Sequence, residues 1–202
     1  MSRVGVARLT ACVGVACLAW AAVLTRTGRS TPAPPPSYGT VPDFALTDQV
    51  GRPVTRSTLA GSVWVADFIF TRCAGQCPLM SSRMAELQQA FADLPAVQLV
   101  SFTVDPEHDT SETLAAYARH YGASESRWRW LTGERDAIWR LAREGFRLGV
   151  SEDGTAEEPI THSVRLVLVD QAGRVRGYYD ATDADAAERL RGDVRRLLGP
   201  HP

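Results

Sequence analysis

The chain has 202 residues, with 22 basic side chains, all of them arginine, against 23 acidic ones, a formal net charge of -1, and 45% hydrophobic positions. This is the composition of one ordinary globular domain with a tail, too apolar for a disordered chain and, with four cysteines, too poor in them for a disulfide scaffold. A near-neutral balance with no basic run argues against nucleic-acid binding, and the absence of lysine removes Schiff-base chemistry and a P-loop.

Residues 1–29 read as an N-terminal hydrophobic helix. Arg3 and Arg8 precede an apolar run from Leu9 to Leu24, Arg26 and Arg29 follow it, and no acidic residue occurs before Asp43. The run lies between the length of a signal-peptide core and that of a membrane span. Ala19 and Ala21 would suit cleavage, whereas Trp20 and Leu24 favour an uncleaved anchor; either reading places the domain on the periplasmic or extracytoplasmic side. Leu9-Thr10-Ala11-Cys12 stands at the start of the apolar segment, the wrong end for lipid attachment, so Cys12 and Cys17 read as small apolar residues. Residues 30–37 are proline-rich and read as an extended linker, and the domain is expected over 38–202. From residue 31 onward the net charge is -5.

Within the domain, Val63 to Phe70 and Val97 to Val104 are short apolar runs of the kind that form buried parallel strands. Between them Met80, Met84, Leu87 and Phe91 make a helical stripe, with Pro78 in the first turn. Asp109 and Glu112 have the spacing of a capping box before a second helix that stops at Gly122, and a third helix is expected from Glu134 to Glu144. Ser151 to Pro159 reads as an acidic surface loop. Val164 to Val169 and Val175 to Tyr179 form a hairpin, and a closing helix runs from Asp183 to Leu198. A parallel βαβ half joined to a ββα half is the α/β arrangement of thioredoxin-like folds.

The chemistry concentrates in Thr71-Arg72-Cys73-Ala74-Gly75-Gln76-Cys77-Pro78, after a buried strand and opening a helix. Two thiols at a helix N-terminus invite a lowered pKa, and such a pair suits Cu(I), Zn(II), a redox dithiol or a simple stabilising disulfide. His162, ahead of the hairpin, is the histidine placed to add a third ligand. His108, His120 and His201 read as solvated surface, Asp109 as a helix cap and Asp105 as a turn residue. Arg72 lies near enough to activate a thiolate, but Phe70-Thr71-Arg72-Cys73 lacks the surroundings of a peroxidatic cysteine.

Phe70-Thr-Arg-Cys73-x-x-x-Cys77-Pro78, then Asp105-Pro-Glu-His-Asp109-Thr110, then Thr161-His162-Ser163 before a strand, together resemble the Sco/SenC family of copper proteins over about Tyr38 to Leu198. The resemblance implies a thioredoxin-like domain tethered by one N-terminal helix, with Cys73, Cys77 and His162 as ligands for Cu(I) or Cu(II). It implies a metallochaperone, not an ordinary enzyme, that assists assembly of the binuclear copper centre in cytochrome c oxidase subunit II or serves another copper protein. A periplasmic thiol-disulfide oxidoreductase using Cys73 and Cys77 is the alternative. Family members commonly carry proline after the first cysteine and an acidic residue two before the second, where this chain has Ala74 and Gly75.

Overall fold

The computed structural model describes residues 33–155 and 159–199. The hydrophobic helix expected over 1–29, with Cys12 and Cys17, lies outside the described residues, as does His201. Among the described residues no helix is long and apolar enough to cross a membrane.

The chain forms β1 (Gly39–Thr40), β2 (Ala45–Asp48), β3 (Pro53–Thr55), β4 (Val63–Ile69), α1 (Gln76–Ala90), β5 (Val97–Thr103), α2 (Ser111–His120) and β6 (Trp128–Thr132). There follow α3 (Arg135–Arg140), running into a wider π turn over Leu141–Gly145, then β7 (Val150–Ser151), β8 (Thr161–His162), β9 (Arg165–Val169), β10 (Arg174–Asp180) and α4 (Ala186–Leu198). Eight strands make one mixed sheet in the order β1-β10-β9-β4-β5-β6-β2-β3, while β7 and β8 pair separately. Parallel pairing of β4 with β5 and of β5 with β6 builds the βαβ half, and the antiparallel β9–β10 hairpin joins it along β4.

The expected strands at 63–70 and 97–104, the intervening helix, the hairpin and the closing helix are all present. β4 is buried at all seven positions, as an apolar strand covered on both faces should be. Met80, Met84 and Leu87 of α1 are buried, and so is Phe91 just beyond it. Gly122, with φ of +64°, follows α2 in the left-handed conformation that ends helices.

Three features depart from the sequence reading. The strands β1–β3 and β6–β8 were not expected; in β6, Trp128 and Trp130 stack at 4.7 Å, and the Trp128 indole N–H donates to Ser101 Oγ. The helix after Asp109 is capped by Thr110, whose side chain accepts from Thr113 N, so Asp109 is not its cap. Among the described residues of the proline-rich segment, 33–37, there is neither helix nor strand, as expected, but its end is not a free spacer. Pro35 is buried, and Arg176, paired with Asp170 at 2.8 Å, donates to the carbonyls of Pro35 and Pro36.

One face of the sheet is aromatic: Phe68 stacks on Phe102 at 4.9 Å, and Phe146 meets Trp64 and Phe68 edge-on. Strand alternation sends Asp67 to the other face. Its carboxyl is fully buried, and neither oxygen has a hydrogen-bond partner among the described residues. Burial pushes its pKa up to about 7, against weaker downward pulls from Ser101 and His162. An acid held above its unfolded value, 3.8, destabilises the fold progressively as pH rises from 3.8 to about 7. Urea unfolding of the reduced, metal-free chain between pH 4 and 8 is therefore expected to show a loss on the order of 4 kcal/mol that Asp67→Asn does not share. Parallel pH curves for the two chains would contradict the buried-acid assignment.

Candidate metal centre

β4 ends at Ile69, and the chain leaves the sheet at Phe70 to enter the cysteine loop. Backbone bonding there is sparse: Cys73 N–H reaches Phe70 O at 3.4 Å. The connection between β5 and α2 supplies the rest. Asp109, fully buried, accepts from Thr71 N at 3.1 Å, from Thr71 Oγ1 at 2.5 Å and from Thr103 Oγ1 at 2.5 Å. Burial raises its carboxyl above the usual range, and these donors oppose the rise. Asp105 does turn the chain, its carbonyl accepting from His108 N and Asp109 N, but its carboxylate also holds Arg72 Nε at 2.6 Å and His108 Nδ1 at 3.0 Å.

These contacts correct the expectation for Arg72, while His108 is on the surface as expected. The Arg72 guanidinium is engaged by Asp105, and His108, although exposed, is bonded to the same carboxylate. His120 is exposed, as expected, and lies edge-on against Tyr121. The acidic loop is closed by Gly154 N–H to Pro159 O, and Arg135 ties its Glu152 to Glu107 of the β5–α2 connection.

Cys73, Cys77 and His162 come together, with their ligand atoms all within 4.8 Å of one another. Both cysteines are buried thiols, not joined in a disulfide. Cys77 lies in the first turn of α1, and Gly75, the residue before the helix, offers no side-chain cap, so the helix N-terminus has amides to spare. β8 carries His162, and its pairing with Val150 of β7 sets the ring's height above the cysteines. His162 Nε2 lies 3.1 Å from Cys77 Sγ, while Nδ1 lies 3.2 Å from Ser163 O. A carbonyl accepts only, so Nδ1 carries the proton and Nε2 presents its lone pair to the thiols. Phe70 packs edge-on against the ring at 5.7 Å and limits its rotation.

The two thiols are electrostatically unequal. A hydrogen bond from Cys77 pulls the Cys73 pKa far below the ordinary thiol range despite burial, with further help from the amides of Cys77 and Gly75. The same hydrogen bond, and then burial, push Cys77 up. The pair therefore shares one proton, with Cys73 as thiolate and Cys77 as thiol. Two soft sulfurs and one imidazole nitrogen match the preference of Cu(I) and also accept Cu(II). The donor set thus fits copper.

The SCO1/SenC family profile matches residues 33–199. The SCO1 protein homolog of Bacillus subtilis is 33% identical over 157 residues, covering 77% of this chain and 81% of the relative. The crystal structure of a SCO1/SenC family lipoprotein from Bacillus anthracis superposes with a TM-score of 0.77 at 32% identity, covering 83% of this chain and 100% of that one. ScoI of Bradyrhizobium japonicum, solved with copper bound, gives a TM-score of 0.63 at 25% identity over 79% of this chain and 99% of its own. With the thioredoxin-like sheet and the three convergent donors, these likenesses identify the chain as a member of the SCO1/SenC family.

Proposed function

We propose that this protein is a copper metallochaperone that holds copper through Cys73, Cys77 and His162 and passes it to a client protein. The convergence of two thiols and one imidazole within 4.8 Å carries the reading. Copper is cargo here. Cys73 is ready as a thiolate, and His162 offers Nε2 because Ser163 O holds the Nδ1 proton. Cys77 must lose its proton for the metal to enter, so loading releases about one proton and grows weaker with acidity.

Sco proteins are a family of cytochrome c oxidase assembly proteins, which makes subunit II of that oxidase, with its binuclear copper centre, the client we assign. Residues 1–29 would tether the domain, or export it after cleavage, on the periplasmic side of the membrane. The alternative use of the same sulfurs is thiol-disulfide exchange: Cys73 thiolate attacks a client disulfide, and Cys77 then displaces the client sulfur to leave a Cys73–Cys77 disulfide. That chemistry has no need of His162.

Titration of the reduced full chain with Cu(II) is expected to produce thiolate-to-copper charge-transfer absorption that disappears in His162→Ala and Cys73→Ser. Stoichiometric binding unchanged by both substitutions would contradict the ligand set. Iodoacetamide at pH 6 is expected to label Cys73 well ahead of Cys77, and Cys77→Ala, which removes the hydrogen bond, is expected to slow Cys73 labelling roughly tenfold. Equal labelling of the two cysteines would contradict the shared-proton assignment.

A further inference from the structure

A second concavity flanks the β7–β8 ladder that holds His162. It is a cavity of about 450 Å³ walled by Tyr38, Arg147, Gly149, Ser163, Arg165 and Tyr178. Ser163 is the chain neighbour of His162, and its N–H donates to Gly149 O at 3.1 Å, so the wall of this cavity is continuous with the backbone that sets the imidazole. Two arginines face it and no carboxylate lines it. Among the described residues neither guanidinium takes part in an ion pair within 4.0 Å or a side-chain hydrogen bond. Asp180 stands across the β9–β10 register from Arg165 and feels its charge, but it forms no ion pair with it; its carboxylate accepts from the Thr182 amide at 2.9 Å and hydroxyl at 2.6 Å.

Arg147 itself is held unusually. Among the described residues it is the one non-glycine with a positive φ, 53°, a conformation that glycine adopts freely and a residue with a Cβ only at a cost. Its Nη2 lies over the backbone of β1, 3.7 Å from where a side chain on Gly39 would begin, and its charge is felt at the Tyr178 phenol. Tyr38 and Tyr178 meet edge to face at 5.4 Å and give the cavity a stiff aromatic wall. Two unpaired guanidiniums, a hydroxyl and two amphipathic rings are the fittings of a carboxylate-recognising protein interface.

We propose that this pocket receives a carboxylate side chain from an acidic segment of the protein that takes the copper, gripped between Arg147 and Arg165. The assignment rests on the copper-transfer reading: a recipient whose ligands approach Cys73 and His162 must also cover the ground beside Ser163. The domain is net acidic, at -5 from residue 31 onward, so an acidic partner is repelled from most of its surface. A basic pocket beside the strand that carries His162 then fixes where such a partner lands and in which orientation.

The test is fluorescence anisotropy of a labelled hexaglutamate peptide with the reduced full chain, with inorganic phosphate as competitor. Saturable binding is expected, weakened about tenfold by Arg147→Gly and by Arg165→Gln and unaffected by Arg191→Gln on α4. Arg147→Gly is also expected to unfold at no lower temperature than the unaltered chain, because glycine relieves the positive φ, whereas a merely structural arginine would leave a less stable protein. Unchanged affinity in the two pocket variants, or equal weakening by Arg191→Gln, would overturn the proposal. Displacement of the peptide by micromolar phosphate would overturn the carboxylate assignment in favour of a phosphate site. A chain that binds no copper, yet whose peptide binding still depends on Arg147 and Arg165, would overturn the copper reading alone.

Discussion

The carboxylate of Asp109 is the contact on which the metal centre depends. It lies wholly buried where β4, β5 and the cysteine loop meet, and it takes Thr71 by both its amide and its hydroxyl while holding Thr103 at the end of β5. A hydrogen bond to a charged acceptor contributes about 1.5 to 3 kcal/mol, and removing the acceptor would leave buried donors unmet. Asp105 adds a second tie through Arg72. The loop that carries Cys73 is thus held less by its own backbone than by two acids from the next crossover. The sulfurs are thereby placed within 4.8 Å of the His162 ring nitrogen on β8 even though the cysteine loop has little regular structure.

From that placement follows the chemistry. Cys73 and Cys77 are close enough to share one proton, and the hydrogen bond from Cys77, with smaller help from the loop amides, leaves Cys73 as the thiolate. His162 arrives from the other half of the fold with its tautomer set by the Ser163 carbonyl, so the nitrogen facing the thiols is the one with a lone pair. A site with two ligands ready and one still protonated binds a soft metal and releases it again without a large rearrangement, which suits a carrier better than a store. The 3.1 Å approach of His162 Nε2 to Cys77 Sγ also links loading to the imidazole, a link that a bare redox dithiol lacks.

Much of this was legible in the sequence because it is local. The two central strands announce themselves as unbroken apolar runs, α1 by its Met80, Met84, Leu87 stripe, and the hairpin by its turn residues Asp170 to Gly173. The three-motif resemblance brought His162 to the cysteines across 85 residues, which no periodicity could do. What was missed depends on distant partners. Trp128-Arg129-Trp130 becomes a strand only because β5 offers a parallel edge and Gln49 pairs with Trp128 O and Trp130 N from the opposite side. Asp109 looked like a helix cap because it precedes a helix, but Thr110 serves there, leaving the acid free to reach back 38 residues to Thr71. Arg72 looked like a thiolate activator by proximity in sequence, and Asp105 draws it elsewhere.

The most direct test of the three-ligand centre is X-ray absorption at the copper edge on the reduced full chain loaded with Cu(I). Two sulfur scatterers and one nitrogen scatterer are predicted, with the nitrogen lost in His162→Ala while the sulfurs remain. A sulfur-only shell in the unaltered chain, or a spectrum that His162→Ala leaves unchanged, would contradict the account.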